Sequence, residues 1–210
     1  MLGFVKRIAK DFDCPHVTKS LYCSLVRPLI EYAAVVWDPV FECDKARIES
    51  IQKQFLLFSL RHFQWTEGYQ LPPYEARLSL LDIDTLRARR VLAACSFVIS
   101  CAASTDPVLH NAFQIGPPAR TTRSSALQRL RLLAVARTCY LDNAPLSRCI
   151  KYFNAFASVL TLNMPNVACK KVLRQQFMIE RLNRLRLRGY IGTSTHRAAS
   201  SRARINDASS

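Results

Sequence analysis

Glycine is scarce in this chain, 5 residues in 210. β-rich folds spend glycine on tight turns, so the shortage favours helices. Gly3, Gly68, Gly116, Gly189 and Gly192 are scattered and build no phosphate-cradling loop. No apolar run reaches the ~18 residues of a membrane-spanning helix. The longest candidate, Val91 to Ala103, is short and holds Ser96 and Ser100. No Cys-x-x-Cys pair occurs among the eight cysteines, and Cys14-Pro15-His16 has no second pair at finger-like spacing, so no metal site is expected. There is no Gly-x-Ser-x-Gly elbow and no His-Glu-x-x-His helix. The four histidines share no evident site, and His62 reads as a surface or cap residue beside a helix end. No Asp-Asp pair exists to hold two cations; Asp11 and Asp13 lie in a loop, and Asp82 or Asp84 reads as a helix cap. No catalytic residue, metal or cofactor is therefore assigned.

What the chain does have is apolar mass and positive charge. Half its residues are apolar and 21% are charged, the make-up of a chain that packs a core. The length suits one large domain or two small ones. The net charge is +15, unevenly placed. Residues 1–84 carry 10 basic and 11 acidic side chains; residues 85–210 carry 20 and 4. Such asymmetry suggests a polyanionic partner, usually nucleic acid and less often an anionic membrane surface. The bland alternative is charge that serves only solubility. Met1 to Arg7 lacks the apolar core of a signal peptide, and Asp11 and Asp13 argue against a mitochondrial presequence. Cysteines such as Cys95 sit where an apolar helix face wants a small hydrophobe. Reduced, mostly buried thiols in an intracellular compartment, nuclear or cytoplasmic, are expected.

Periodicity predicts an all-α fold, an irregular multi-helix bundle with a disordered basic C-terminal tail. Over residues 16–37, Val17, Leu21, Leu25, Leu29, Ala33 and Trp37 recur every four residues, widened by Val26, Ile30 and Val36. Pro28 either kinks this helix or opens a second one. A helix follows from Asp44, its N-cap, to Arg61, with Ile48, Ile51, Phe55 and Phe58 on one face and Glu49 and Lys53 paired at i,i+4. Pro72-Pro73 opens a short helix, Tyr74 to Leu81. A long helix runs to about Ala103, its arginine-rich start solvated or ligand-facing and the rest buried. Further helices are expected over 146–160 and 166–188. Residues 117–147 are illegible, and residues 191–210 read as disordered.

Several motifs stand in order. They are Leu2-Gly3-Phe4-Val5-Lys6-Arg7, Leu21-Tyr22-Cys23-Ser24-Leu25-Val26-Arg27-Pro28, Glu31-Tyr32-Ala33 and Val36-Trp37. Arg47-Ile48-Glu49-Ser50-Ile51-Gln52-Lys53-Gln54-Phe55, Leu71-Pro72-Pro73-Tyr74-Glu75-Ala76-Arg77 and Leu86-Arg87-Ala88-Arg89-Arg90 continue the series. The pattern resembles the segment after the polymerase palm in non-LTR retrotransposon reverse transcriptases, jockey-type elements most. Arg137-Thr138-Cys139-Tyr140 and Phe153-Asn154-Ala155-Phe156 extend a weaker match to about residue 177. The resemblance implies a thumb-like helical region over 1–104 and a basic helical extension over 105–190; the tail over 191–210 is read from composition alone. It also implies that the Tyr/Phe-x-Asp-Asp palm and the endonuclease lie upstream in the family, outside these residues.

The expected function is a non-catalytic nucleic-acid-gripping fragment of an RNA-directed DNA polymerase, contacting the template–primer, RNA and/or DNA, through phosphates and with no membrane partner. The candidate contacts are Lys6, Arg7, Lys10, Arg87, Arg89, Arg90, Arg120, Arg123, Arg137 and Arg148. One alternative is a helical interaction or structural domain whose apolar stripes over 16–37 and 91–103 recruit a partner or a second copy. Another is a decaying reading frame with no selected function.

Overall fold

Pro28 shapes the first long helical segment. Proline carries no N–H, and its ring collides with the carbonyl four residues back, here that of Ser24. In the computed structural model a π segment, Tyr22–Val26, lies between helix α2 (Pro15–Leu21) and helix α3 (Arg27–Glu31). The wider i→i+5 turn admits the ring, and Pro28 falls in the first turn of α3. The Ser24 hydroxyl donates back to the Ser20 carbonyl at 2.8 Å. The structure describes residues 1–12, 14–64, 72–106, 108 and 138–187. Among them 77% are helical and none is in a strand, so the fold is all-α.

The row that enters the core is Thr18, Tyr22 and Val26, then Ala34. The row expected from the four-residue spacing is displaced from it. Leu21 and Leu25 pack partly against the core, whereas Leu29, Ala33 and Trp37 are exposed. The offset is already present at Thr18 on α2, before the π segment, so it belongs to the register of α2 on the core and not to the π turn. Ala33, at a left-handed φ of 51°, then ends the run before helix α4 (Ala34–Trp37).

Helix α1 (Leu2–Ile8) and helix α5 (Glu42–Gln64) close the first core over α2 and the π segment. Val5, Tyr22, Val26, Phe55, Leu56, Leu78 and Ile83 fill it, and Tyr22 stacks on Phe55 with ring centroids 4.1 Å apart. Leu78 comes from helix α6 (Tyr74–Leu80). Helix α5 starts two residues before the expected Asp44, which lies in its first turn.

Helix α7 (Leu86–Ala102) is apolar on most sides after its first turn, the pattern of a surrounded helix. It packs against α4, α5 and helix α9 (Pro145–Ala155), which follows the short helix α8 (Cys139–Asp142). Val91, Ala94, Cys95, Val98, Ile99 and Cys101 are buried, so most of the expected apolar stripe over 91–103 is consumed inside the fold, with Phe97, Ser100 and Ala103 exposed. Helix α10 (Asn166–Leu187) begins beside α7, where the Asn166 amide donates to the Ser100 hydroxyl at 2.7 Å.

The chain forms two compact units, Met1–Arg174 and Gln175–Ser210. Helices α7 and α9 pack together in the first unit. The second unit is described through residues 175–187 alone, where Arg184 lies 3.4 Å from Glu180. The illegible segment before residue 138 and the expected disordered tail lie outside the described residues.

Candidate nucleic-acid interface

The arginine-led start of α7 is set by groups distant in sequence. Thr85 is the N-cap and accepts the Ala88 N–H at 3.1 Å. The Glu49 carboxylate accepts the N–H groups of Leu86 and Arg87, each at 3.2 Å. A carboxylate there satisfies orphan donors and meets the positive helix end. Neither expected aspartate caps α7. Asp82 takes a left-handed φ of 47° in the preceding turn and faces Lys19 at 3.8 Å. Asp84 faces Arg174 at 3.7 Å.

Glu49 belongs to a buried relay instead of the expected surface pair with Lys53. Tyr74 donates its hydroxyl to Glu49. Gln52, fully buried, accepts the Tyr22 hydroxyl at 3.0 Å and donates to the Tyr74 hydroxyl at 3.1 Å and the Asp84 carbonyl at 3.0 Å. Lys53 lies over the Tyr74 ring, 5.3 Å from its centroid.

The candidate contacts then divide. Arg87 is exposed. Arg89 grips Glu31 with two guanidinium nitrogens, Nη2 at 2.7 Å. Arg90 is buried, and its Nε donates to Asp38 at 2.7 Å. Arg148 donates to the main-chain carbonyls of Val36, at 2.8 Å, and Asp38. The Tyr152 hydroxyl completes the cluster, 2.9 Å from the other Asp38 oxygen. Arg89, Arg90 and Arg148 therefore tie α7 and α9 to the segment 31–38. Arg90 is closed to solvent and paired with Asp38, while Arg89 and Arg148 are partly exposed and engaged by Glu31 and by main-chain carbonyls. Sequence reading saw Asp38-Pro39 only as a helix terminator; a partner 52 or 114 residues away leaves no local signal.

The N-terminal candidates have the opposite character. Arg7 and Lys10 are exposed and make no ion pair among the described residues. Lys6 lies over the Phe58 ring, 5.9 Å from its centroid. With Gln54, Leu57, Phe58 and Arg61 it lines a cleft of about 370 Å³ between α1 and α5. Arg120, Arg123 and Arg137 lie outside the described residues. Sequence reading missed Lys170 and Lys171, both exposed on α10, and placed Phe58 with the core. Only the register of α5 separates Phe58 from Phe55.

No group of three or more metal-ligating side chains occurs among the described residues, and none of their helices is long and apolar enough to cross a membrane. The thiols divide as well. Cys95, Cys101, Cys149 and Cys169 are buried, while Cys14 and Cys43 are exposed. Burial pushes the Cys149 thiol up to about 11 and raises Cys95 further, the reverse of what an activated nucleophile needs. A comparison with protein-family models, curated proteins and solved structures finds no match to this chain.

Proposed function

We propose that the chain is a non-catalytic nucleic-acid-gripping piece of a retrotransposon RNA-directed DNA polymerase, a thumb-like helical region that holds the template–primer by its phosphates. The observation that carries the reading is the partition of the basic groups. With Arg89, Arg90 and Arg148 committed internally, Lys6, Arg7, Lys10 and Arg87 remain at the surface. Phosphate contacts of this kind give sequence-independent affinity that salt weakens. The motifs that carry the family resemblance also supply the internal polar contacts: Tyr22, Glu31, Glu49, Gln52, Tyr74, Arg89 and Arg90. Such a likeness is to a scaffold, which suits a gripping region and requires no reaction of it.

Fluorescence anisotropy with a labelled oligonucleotide tests the reading. Four phosphate contacts give a slope of log K against log salt near about −3.6, and Arg7→Gln with Lys10→Gln shifts it by about 1.8. A flat salt response refutes the proposal. Primer extension on the isolated chain yields no product.

A second reading has its own observation. Leu29, Tyr32, Val36, Val40 and Phe41 are exposed close together in sequence, Tyr32 at 81% and Phe41 at 69%. Apolar surface of this kind suits self-association or a partner protein. Light scattering behind size exclusion decides it, since a monomer at every concentration removes self-association.

A further inference from the structure

The segment 29–41 is braced from beneath by arginines and presents apolar side chains to solvent. We propose that it is a self-complementary docking face that receives the same face of a second copy of the chain; the proposal rests on the second reading above. Only two charged side chains lie between Leu29 and Phe41, and they are Glu31 and Asp38. Arg89 grips Glu31 with two guanidinium nitrogens, and Arg90 holds Asp38, which is buried. Tyr152 donates to the other Asp38 oxygen, and Arg148 donates to the main-chain carbonyls of Val36 and Asp38. Both carboxylates are thus engaged within the fold, while Leu29, Tyr32, Val36, Trp37, Val40 and Phe41 stay exposed. The Trp37 indole N–H donates to the Tyr32 carbonyl, which ties these two aromatic residues together.

Charge selects the occupant. The chain carries 30 basic and 15 acidic side chains, yet the only two on this segment are paired internally. A polyanion or a charged protein therefore finds no counter-charge here. A two-fold pairing sets a patch against itself, which like charges oppose and an uncharged patch allows. Area points the same way. Six side chains of this size, at their exposures, present on the order of 600–700 Å². The largest apolar patch of an ordinary monomer is about 300–600 Å². Two copies would bury about 1,200–1,400 Å² in total, which reaches the standard interface range of about 1,200–2,000 Å². Tyr32, Trp37 and Phe41 are also of the aromatic type that is enriched at the core of interfaces. A segment already held from beneath loses little freedom on docking, so more of the apolar contact appears as affinity.

Sedimentation velocity of the nuclease-treated full chain, at rising protein concentration and at low and high salt, tests this. The expected result is a dimer that tightens as salt rises, because two copies of net charge +15 repel and salt screens the repulsion. Phosphate binding responds in the opposite sense. Tyr32→Ser and Phe41→Ser should each weaken the dimer roughly ten-fold or more, while Phe4→Ser, at an exposed position on α1, leaves it unchanged. The salt response is read on the unaltered chain, so the test survives a variant that fails to fold. A monomer at every concentration and salt, a dimer that loosens with salt, or one that persists in both variants overturns the inference. Titration with the apolar dye anilinonaphthalenesulfonate separates that failure from failure of the broader reading. A monomer whose dye binding drops in Phe41→Ser keeps the segment as a surface for a different protein, and dye binding equal in the two overturns both.

Discussion

Asp38→Ala should destabilise this fold severely, and more than Arg90→Met. The Asp38 carboxylate accepts Arg90 Nε at 2.7 Å and the Tyr152 hydroxyl at 2.9 Å. The Arg90 and Asp38 side chains are only 4% and 7% exposed. Removing the carboxylate leaves a guanidinium buried with no counter-charge and a phenol with no acceptor. Breaking a buried pair in this way costs about 3–5 kcal/mol, a large share of a typical domain's stability of about 5–15 kcal/mol. Arg90→Met removes the cation but keeps most of its apolar stem, and Tyr152 still satisfies the carboxylate. It also removes Arg90 Nη1, which is buried without a partner. Its cost should be about 1–3 kcal/mol. The double variant should cost less than the two single costs added, by about 2 kcal/mol, because the second substitution removes the charge the first stranded. Arg148 reaches the Asp38 segment through main-chain carbonyls, so its contacts persist in all three proteins. Urea unfolding followed by circular dichroism reads the effect, with the Asp38→Ala midpoint falling by on the order of 2 M. Additive costs, or Arg90→Met as the worse substitution, would refute the reasoning.

Three further outcomes follow from the same contacts. Glu49→Gln keeps an acceptor at the start of α7 but removes the charge, so it should cost about 1 kcal/mol in the same urea assay; it should also lower the titration of Tyr74, which burial and the adjacent Glu49 raise. A colorimetric thiol reagent should label Cys14 and Cys43 at once and Cys95, Cys101, Cys149 and Cys169 only after denaturant is added, and one fast phase for every thiol would contradict the packing of α7 on α9. Burial raises Cys149 from 9.0 to about 11, and burial with the Asp38 hydrogen bond raises Tyr152 from 10.0 to about 12. The folded state therefore holds these protons more tightly, so stability should be complete below about pH 9 and fall as pH rises toward 11 and 12. A melting temperature unchanged from pH 8 to pH 11 would be the contrary result.

The helices were legible because their signal is local. Apolar spacing placed Tyr74–Leu80, Leu86–Ala102 and Asn166–Leu187 to within a residue or so. Even the interruption at Pro28 was legible, since a missing N–H is a property of one residue. Its form was not, because a π turn depends on where Tyr22 and Val26 find a core. Capping failed for the same reason: Asp82 and Asp84 have the right chemistry, but Thr85 and a carboxylate from α5 occupy the place. On the α5 face of Ile48, Ile51, Phe55 and Phe58, spacing alone does not tell that Phe55 is fully buried and the other three half-buried. Exposure of Arg7, Lys10 and Arg87 suits the role expected of them, while Arg89, Arg90 and Arg148 have partners 58, 52 and 112 residues away.

Those separations change what the charge asymmetry means. Residues 1–84 are almost neutral in sum and residues 85–210 strongly basic, which places the polyanion-binding surface in the second part if charges are merely counted. The fold pairs the two parts. Glu31 takes Arg89, Asp38 takes Arg90 and Asp84 lies opposite Arg174, so acidic groups of the first part neutralise arginines of the second. The Arg90–Asp38 pair is taken out of solvent, the Arg89–Glu31 pair is partly buried, and the Arg174–Asp84 pair stays at the surface. The near-neutral first part has Arg7 and Lys10 exposed on and just after α1, with Lys6 half-buried over the Phe58 ring. Field at a surface depends on the charges that remain there. Among the described residues, Arg7 and Lys10 of the near-neutral first part are exposed, whereas Arg89 and Arg90 of the basic second part are engaged by Glu31 and Asp38.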